Sequence, residues 1–465
     1  MFSHTNAKKQ YLTEARANVE LQIVNMGLAK KVFKLAWPAL IEYFLTSLYT
    51  LVDTFFVSKL GVAEVAALGG AGYIAWAFWI PGFTFTTGVM VLVAQGLGAG
   101  KKDFARRVFG ETLAITLIIS SLAAIIGVTF AKDIVGLVVV NPEVTSKGVL
   151  YLTARLLGLP GMYIVFTVNS ALRGAKDTKT PMKTGVLGNI FNMIMDPLLI
   201  FGLFGLPKLG IFGAGLASAI SFYFILAIYL AMGFKGVLVI TPKISFPTKE
   251  IVSKVFKLGL PVSFQRASLS MLSLIYVSMI ARFGYVALAA HQIGLRIESL
   301  AFMPAMAFRI ATSALVGHEV GAKRVRKAKE IAEAGIRLSL IFLTIVGLSL
   351  ALISPYVPRV FVENEEVIRL AMIYLILAGT SEPGLSFVMT VSGVFEGSGN
   401  TIVPTVVNIV SMIVARLTLG YILGAFLGLG AIGAWIGMFS DVYLKGTVLY
   451  ILYRLKYEKL VKIWV

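Results

Sequence analysis

Aspartate is scarce in this chain, six in 465 residues, and two of the six, Asp53 and Asp196, fall inside long apolar stretches of its first half. Each ends a polar stripe at helical spacing. Glu42, Thr46, Tyr49 and Asp53 are spaced 4, 3 and 4, and Asn189, Asn192 and Asp196 are spaced 3 and 4, so each set lines one helix face. A charge at the centre of a membrane helix costs roughly 2.5–3.5 kcal/mol on insertion scales, so such a stripe faces a cavity or a partner rather than lipid. Two carboxylates brought together in a low dielectric cannot both ionise cheaply, and the pair holds a proton or a small cation. With an amide and a hydroxyl beside them they offer hard oxygens to Na⁺. Asp53, Asp196 and Asn192 are the candidate cation ligands, with Ser218 and Tyr151 as their expected neighbours. The plainer reading makes both acids satisfied buried groups that tie helices together.

The elements that must position these residues are membrane helices. Hydrophobic residues make up 58% of the chain and charged ones 14%, and the mean hydropathy is +0.86. Soluble domains carry about a quarter charged residues. Apolar stretches of spanning length lie near 33–58, 70–95, 111–131, 149–172, 184–205, 211–233, 256–281, 293–317, 335–355, 369–394, 402–426 and 431–453. The expected fold is an all-α polytopic membrane protein of about 12 transmembrane helices, in two pseudo-symmetric six-helix lobes around a central cleft. The expected segments are 1–32 (cytoplasmic), 33–234 (first lobe), 235–250 (linker), 251–454 (second lobe) and 455–465 (cytoplasmic tail). Pro38 permits a bend in the first helix.

The net charge of +19 belongs to this topology and not to nucleic-acid binding. Lys8, Lys9, Arg16, Lys30 and Lys31 precede the first stretch, and basic clusters follow the second, fourth, sixth, eighth and twelfth. That bias puts both termini in the cytoplasm of a cell-membrane protein, the inner membrane in a two-membrane cell. Only the loop after the tenth stretch, around Glu396–Asn400, lacks its expected positive charge. Cysteine is absent, which excludes disulfides and cysteine-ligated metals.

The chain also repeats itself at an offset of 223. Pro38 pairs with Pro261, Gly61 with Gly284, Gly98 with Gly321, Tyr151 with Tyr374, Gly174 with Gly397 and Pro181 with Pro404. Each half holds an even number of helices, so the repeats lie parallel about an axis along the membrane normal, and substrate sites in such folds lie near the midplane. The acids break the repeat: Asp53 maps to Tyr276 and Asp196 to Leu419. A scaffold needs no such asymmetry. In the second half, Glu298, Glu382 and Asp441 read as structural, Asp441 pairing with Lys445 one turn on.

Other chemistries fit poorly. Gly98-Ala99-Gly100-Lys101 lacks the strand and the Ser or Thr of a phosphate loop, and His318-Glu319 has no second metal histidine. An intramembrane aspartyl protease would want Gly-Asp, which occurs nowhere.

Taken together, Pro38, Leu51-Val52-Asp53-Thr54-Phe55-Phe56-Val57, Leu60-Gly61, Gln95-Gly96, Gly98-Ala99-Gly100, Arg173-Gly174, Asp177-Thr178, and Asn192 with Asp196-Pro197 resemble the multidrug and toxic compound extrusion (MATE) family over nearly the whole chain. The acid pair is most similar to its DinF-like branch. The resemblance implies that Asp53, Asp196 and Asn192 form the coupling site, that Tyr151 belongs to the same network, and that Tyr49, Asn189 and Asn169 border the drug cavity. A Thr expected on the sixth helix stands here as Ser218. The expectation is a monomeric antiporter, not an enzyme, with no cofactor beyond a coupling H⁺ or Na⁺. It would export organic cations or amphipathic drugs across the lipid bilayer by alternating access. A lipid or glycolipid flippase of the same superfamily is the alternative, and it would want basic residues lining the cleft; Arg155, Arg296, Arg309 and Arg416 are the few inside helices.

Overall fold

The computed structural model describes residues 2–465, with side chains from Met26 onward. Lys8, Lys9 and Arg16 lie outside the described side chains. The described residues form helices joined by turns, with no strand among them. The first half holds α1 (Phe2–Ser58), α2 (Val62–Gly98), α3 (Lys102–Thr129), α4 (Pro142–Gly174), α5 (Lys179–Phe201) and α6 (Gly210–Phe234). The second holds α7 (Lys249–Ala281), α8 (Tyr285–Gly321), α9 (Val325–Ile353), α10 (Glu365–Gly397), α11 (Ile402–Phe426) and α12 (Gly430–Leu460). Eleven of the twelve are long and apolar enough to cross a membrane, with α4 counted as one span bent by 45° between Leu157 and Leu159. The exception, α12, carries Asp441 and Lys445 in its middle. Bulky side chains such as Leu122 and Ile125 on α3, and Ile345 and Leu348 on α9, are exposed. In lipid that exposure is the favourable state, because the helices satisfy their own backbone.

The repeat is visible in local geometry. Asn141 caps α4, accepting from the amides of Glu143 (3.0 Å) and Val144 (3.2 Å). Asn364, its equivalent at offset 223, caps α10 in the same way through Glu366 (3.1 Å) and Val367 (3.0 Å). Each cap supplies an acceptor to otherwise orphaned amides. The turns after α2 and α8 both need a positive φ, met by Gly100 (74°) in one half and Lys323 (59°) in the other.

The lobes exchange the starts of their first helices. Leu28, Val32, Leu35 and Ala36 of α1 are buried in a core built by α8, α9, α10 and α12. In return Ile251, Val255 and Leu258 of α7 are buried in the core of the first lobe. Pro38 and Pro261 lie just beyond these anchors.

One face of the molecule, here the basal face, carries the C-terminal residues and the turns after α2, α4, α8 and α10. The lobes are shut against each other there. The Gln95 amide donates across the interface to the Gly397 carbonyl (3.2 Å), and His318 Nε2 meets the Gly174 carbonyl (2.8 Å). Gln95 and His318 are themselves repeat equivalents. Beside them Gly98 packs on the His318 backbone and Gly321 on the Gln95 backbone, so closely that a Cβ on either would overlap the facing carbonyl. Residues 461–465 cross this seam: the Trp464 amide donates to Gln95 (2.9 Å), its indole to the Gly399 carbonyl (3.0 Å), and the Lys462 amide to the Ser398 carbonyl (2.8 Å). That explains the one basal loop without its expected basic residues. The turn after α10 lies under the C-terminal segment instead of facing out. The segment 235–248 between the halves is tied to α3, where Glu111 accepts from the amide (2.7 Å) and hydroxyl (2.6 Å) of Thr248.

Candidate functional site

Four helices of the first lobe converge on the acids. α1 brings Tyr49 and Asp53, α4 Tyr151 and Arg155, α5 Asn189, Asn192 and Asp196, and α6 Ser218. Pro197, directly after Asp196, removes the amide that would pair with the Met193 carbonyl and loosens α5 at this depth. Asp196 is fully buried and Asp53 is 7% exposed. With the Asn192 amide turned so that both of its groups are satisfied, its nitrogen donates to Asp196 Oδ2 (3.2 Å) and its oxygen accepts from the Ser218 backbone amide (3.2 Å). Oδ1 of Asp53, Oδ1 of Asp196 and the Ser218 hydroxyl are buried without any partner. The two carboxylates feel each other's charge and that of Arg155, whose guanidinium lies 5.3 Å from the Trp79 ring centroid. Arg155 forms no ion pair with either acid within 4.0 Å among the described residues. With both acids ionised the cluster carries one negative charge more than it neutralises, and its free donor atoms are all oxygens. That set suits a proton or a hard monovalent cation, not a transition metal.

The structure thus brings together Asp53, Asp196, Asn192, Ser218 and Tyr151, with Tyr49 and half-buried Asn189 a turn away. It separates the rest. Glu42, first residue of the α1 stripe, is captured by Arg173 through two hydrogen bonds (2.7 and 2.8 Å). Thr46 is exposed and its hydroxyl donates to the Glu42 carbonyl (2.8 Å). Asn169 is buried in another network, accepting from the Tyr229 hydroxyl (2.5 Å), which also meets Thr184 (2.6 Å).

In the second lobe Asp441 is held by Lys445 (2.8 Å), Arg416 (3.1 Å) and the Ser411 hydroxyl (2.8 Å). The Tyr374 hydroxyl, equivalent to that of Tyr151, donates to Glu298 (2.5 Å). Arg416 rides on a π-helical stretch of α11, Met412–Leu419, which widens the turn and swings the guanidinium toward α12. Arg309 and Glu396 form a buried ion pair. Sequence reasoning passed over one cation at mid-membrane, Arg266 on α7. Its signal was present: it stands where the first half has Tyr43, at the centre of an apolar stretch.

The MatE family profile matches this chain twice, at residues 38–198 and 261–422. The two matches begin 223 residues apart. The chain is 28% identical over 422 residues to the "Probable multidrug resistance protein NorM" of Thermotoga maritima, covering 90% of each. Its fold is similar to that of a MOP superfamily transporter from Pyrococcus furiosus (TM-score 0.86, 23% identity, 93% of this chain and 96% of that one). It is similar also to the Vibrio cholerae MATE transporter VcmN (TM-score 0.87, 21% identity, 95% and 99%).

Proposed function

This chain belongs to the MatE family of transporters, and on that premise we propose that it is a secondary active multidrug exporter that exchanges organic cations or amphipathic drugs for H⁺ or Na⁺. One observation carries the antiport reading: two buried carboxylates on α1 and α5 share one guanidinium, and each keeps an oxygen with no partner. The coupling ligands are Asp53, Asp196 and Asn192, supported by Ser218 and Tyr151. Tyr49, Thr46, Asn189 and Asn169 are proposed to border the drug path. The proposed lobes are 33–234 and 251–454, acting as a monomer without a cofactor. The flippase alternative gains no support from the relatives above.

The basal face is assigned to the cytoplasm from its lysines and arginines. The described conformation, shut on that face, then presents the cleft outward. α1 supplies the mechanical link, because its lower part is buried among second-lobe helices while Asp53 sits in the first lobe. A cation bound at Asp53 and Asp196 relieves their mutual repulsion and lets α1 bend at Pro38. The bend narrows the cleft and displaces the drug. One charge crossing 100 mV is worth about 2.3 kcal/mol, roughly a 50-fold gradient. A one-for-one swap of H⁺ for a monovalent drug moves no net charge, so it draws on the ion gradient alone.

The test is transport of a fluorescent organic cation by purified protein in proteoliposomes, under an imposed pH gradient or Na⁺ gradient. Wild type is expected to respond to one of them, and Asp53→Asn to neither. Movement unaffected by both gradients, or equal in the variant, overturns antiport through these acids.

A further inference from the structure

Arg266 lies about halfway along α7, some 25 Å from its first residue at 1.5 Å per residue, and so near the bilayer midplane. Its guanidinium is stacked on Phe83 of α2, 3.9 Å from the ring centroid, across the interface between the lobes. Its Nε is buried without a hydrogen-bond partner, and no carboxylate lies within 4.0 Å of it among the described residues. Glu396, the one carboxylate whose charge it feels, is already taken by Arg309 through two hydrogen bonds. The other charged or polar groups that act on it are Arg309, which repels it, and Tyr43. Arg309, Arg266 and Glu396 together therefore leave one positive charge uncompensated. A guanidinium at this depth is costly, and it persists where it faces a cavity or a transport path. Its buried Nε and its stacking on Phe83 hold the guanidinium between the lobes rather than stretched toward the membrane interface.

Phe83 does not stand alone. It packs edge-on against Trp76 (6.3 Å between centroids), and Trp76 packs against Trp79 (5.7 Å), on which Arg155 of the acid cluster rests. α2 thus carries an aromatic ladder with a guanidinium at each end. Arg155 has the acids as counter-charges; Arg266 has only Glu396, which Arg309 already engages.

The geometry points to Arg266 as a subsite for the anionic group of an aromatic substrate, a carboxylate or phosphate whose planar body lies along Phe83 and Trp76. A planar guanidinium already held flat on a ring offers two parallel donors to such a group and loses little freedom on binding it. The inference rests on the drug-export reading and narrows it: beside simple cations, the protein favours zwitterionic amphiphiles, with the positive part toward the Asp53 side and the negative part on Arg266. The competing explanation is that Arg266 only clamps α7 to α2.

A matched pair of dyes separates these. Rhodamine 6G is a cationic ethyl ester, and rhodamine 19 is its free acid, with the same ring system and an added carboxylate. Binding of each to detergent-purified wild type, Arg266→Gln and Arg266→Lys is read by fluorescence polarisation, after gel filtration and a thermal melt have confirmed folding. Arg266→Gln is expected to weaken the free acid by about tenfold or more, the scale of a charge-assisted hydrogen bond, and to leave the ester within about twofold. Arg266→Lys should fall between. Equal change for both dyes, or no change for either, overturns the subsite. Failure of the ester to bind wild type would instead indict the drug-export reading. Adding a short-chain phosphatidylglycerol as competitor tells the sources apart. If it displaces the free acid from wild type but not from Arg266→Gln, the guanidinium takes a lipid phosphate; if it displaces from neither, it takes the substrate's own anion.

Discussion

The two lobes are copies in backbone and opposites in charge chemistry. The second lobe balances most of its buried acids: Asp441 has two cations and a hydroxyl, Glu298 has Tyr374, and Glu396 has Arg309, while Glu382 keeps a buried Oε2 without a partner. The first lobe pairs Glu42 and Glu111 but leaves two acids short. Asp53 and Asp196 share Arg155 at a distance and retain unpartnered oxygens. Packing does not require this, since the equivalent positions in the other half are Tyr276 and Leu419. A buried ion pair costs about as much in desolvation as it returns, while a buried carboxylate without a partner is a net loss. Glu382 apart, the second lobe thus holds its charge in place as structure, and Asp53 and Asp196 hold the deficit that the proposed coupling cation fills.

The most damaging test of that contrast is functional. Asp196→Asn is expected to reduce gradient-driven dye transport to the level of empty liposomes, while Glu298→Gln keeps a measurable rate. Reversed outcomes would move the coupling site to the second lobe.

Stability should invert the order. Asp441→Asn strands Lys445 and Arg416, and is expected to cost about 3–5 kcal/mol, read as a lowered melting temperature in detergent. Asp53→Asn removes a charge that has no partner, so its melting temperature should be equal to wild type or higher. A large loss of stability in Asp53→Asn would mean that the first-lobe acids are structural after all.

A smaller effect is expected where the lobes meet. Gly98→Ala and Gly321→Ala each push a methyl into the facing backbone, and overpacking of this kind costs about 1–3 kcal/mol against the closed basal seam. In this cysteine-free chain a single cysteine at Ser313, buried beneath the seam, should then label faster with a membrane-permeant thiol reagent. The pseudo-symmetry predicts similar acceleration from either glycine.

The smallest difference between the halves is at the turns with positive φ. Lys323→Gly removes a left-handed lysine and is expected to raise stability by up to about 1 kcal/mol. The converse change, Gly100→Lys, should lower it by as much.

The sequence carried the fold well because both of its signals are long-range and redundant. Twelve apolar stretches and a single offset of 223 constrain each other, and the paired caps at Asn141 and Asn364 and the paired crossings at Gly98 and Gly321 obey that offset. Helix ends were less legible. The stretch 111–131 became α3 from Lys102, because backbone hydrogen bonding continues through the polar interface where hydropathy falls away. The acids and Asn192 were legible from spacing and scarcity. Three features were not. Glu42 reads as part of the Asp53 face, but Arg173, 131 residues away in sequence, claims it. Asn169 looks free until Tyr229 is placed beside it. Arg266 shows no partner in sequence, and only the packing of α7 on α2 reveals that it has none in space.

The seam at Gly98 and Gly321 has an ancestral consequence. Its contacts come in pairs related by the two-fold: Gln95 to Gly397 with His318 to Gly174, and Gly98 on His318 with Gly321 on Gln95. A closure of this kind could already form between two identical half-length chains, provided both inserted in the same orientation, as an even number of helices allows. The present chain preserves the geometry of such a homodimer and has spent its divergence on what the two halves hold. Two fragments expressed separately, cut within 235–248, should therefore find each other in the membrane and reassemble.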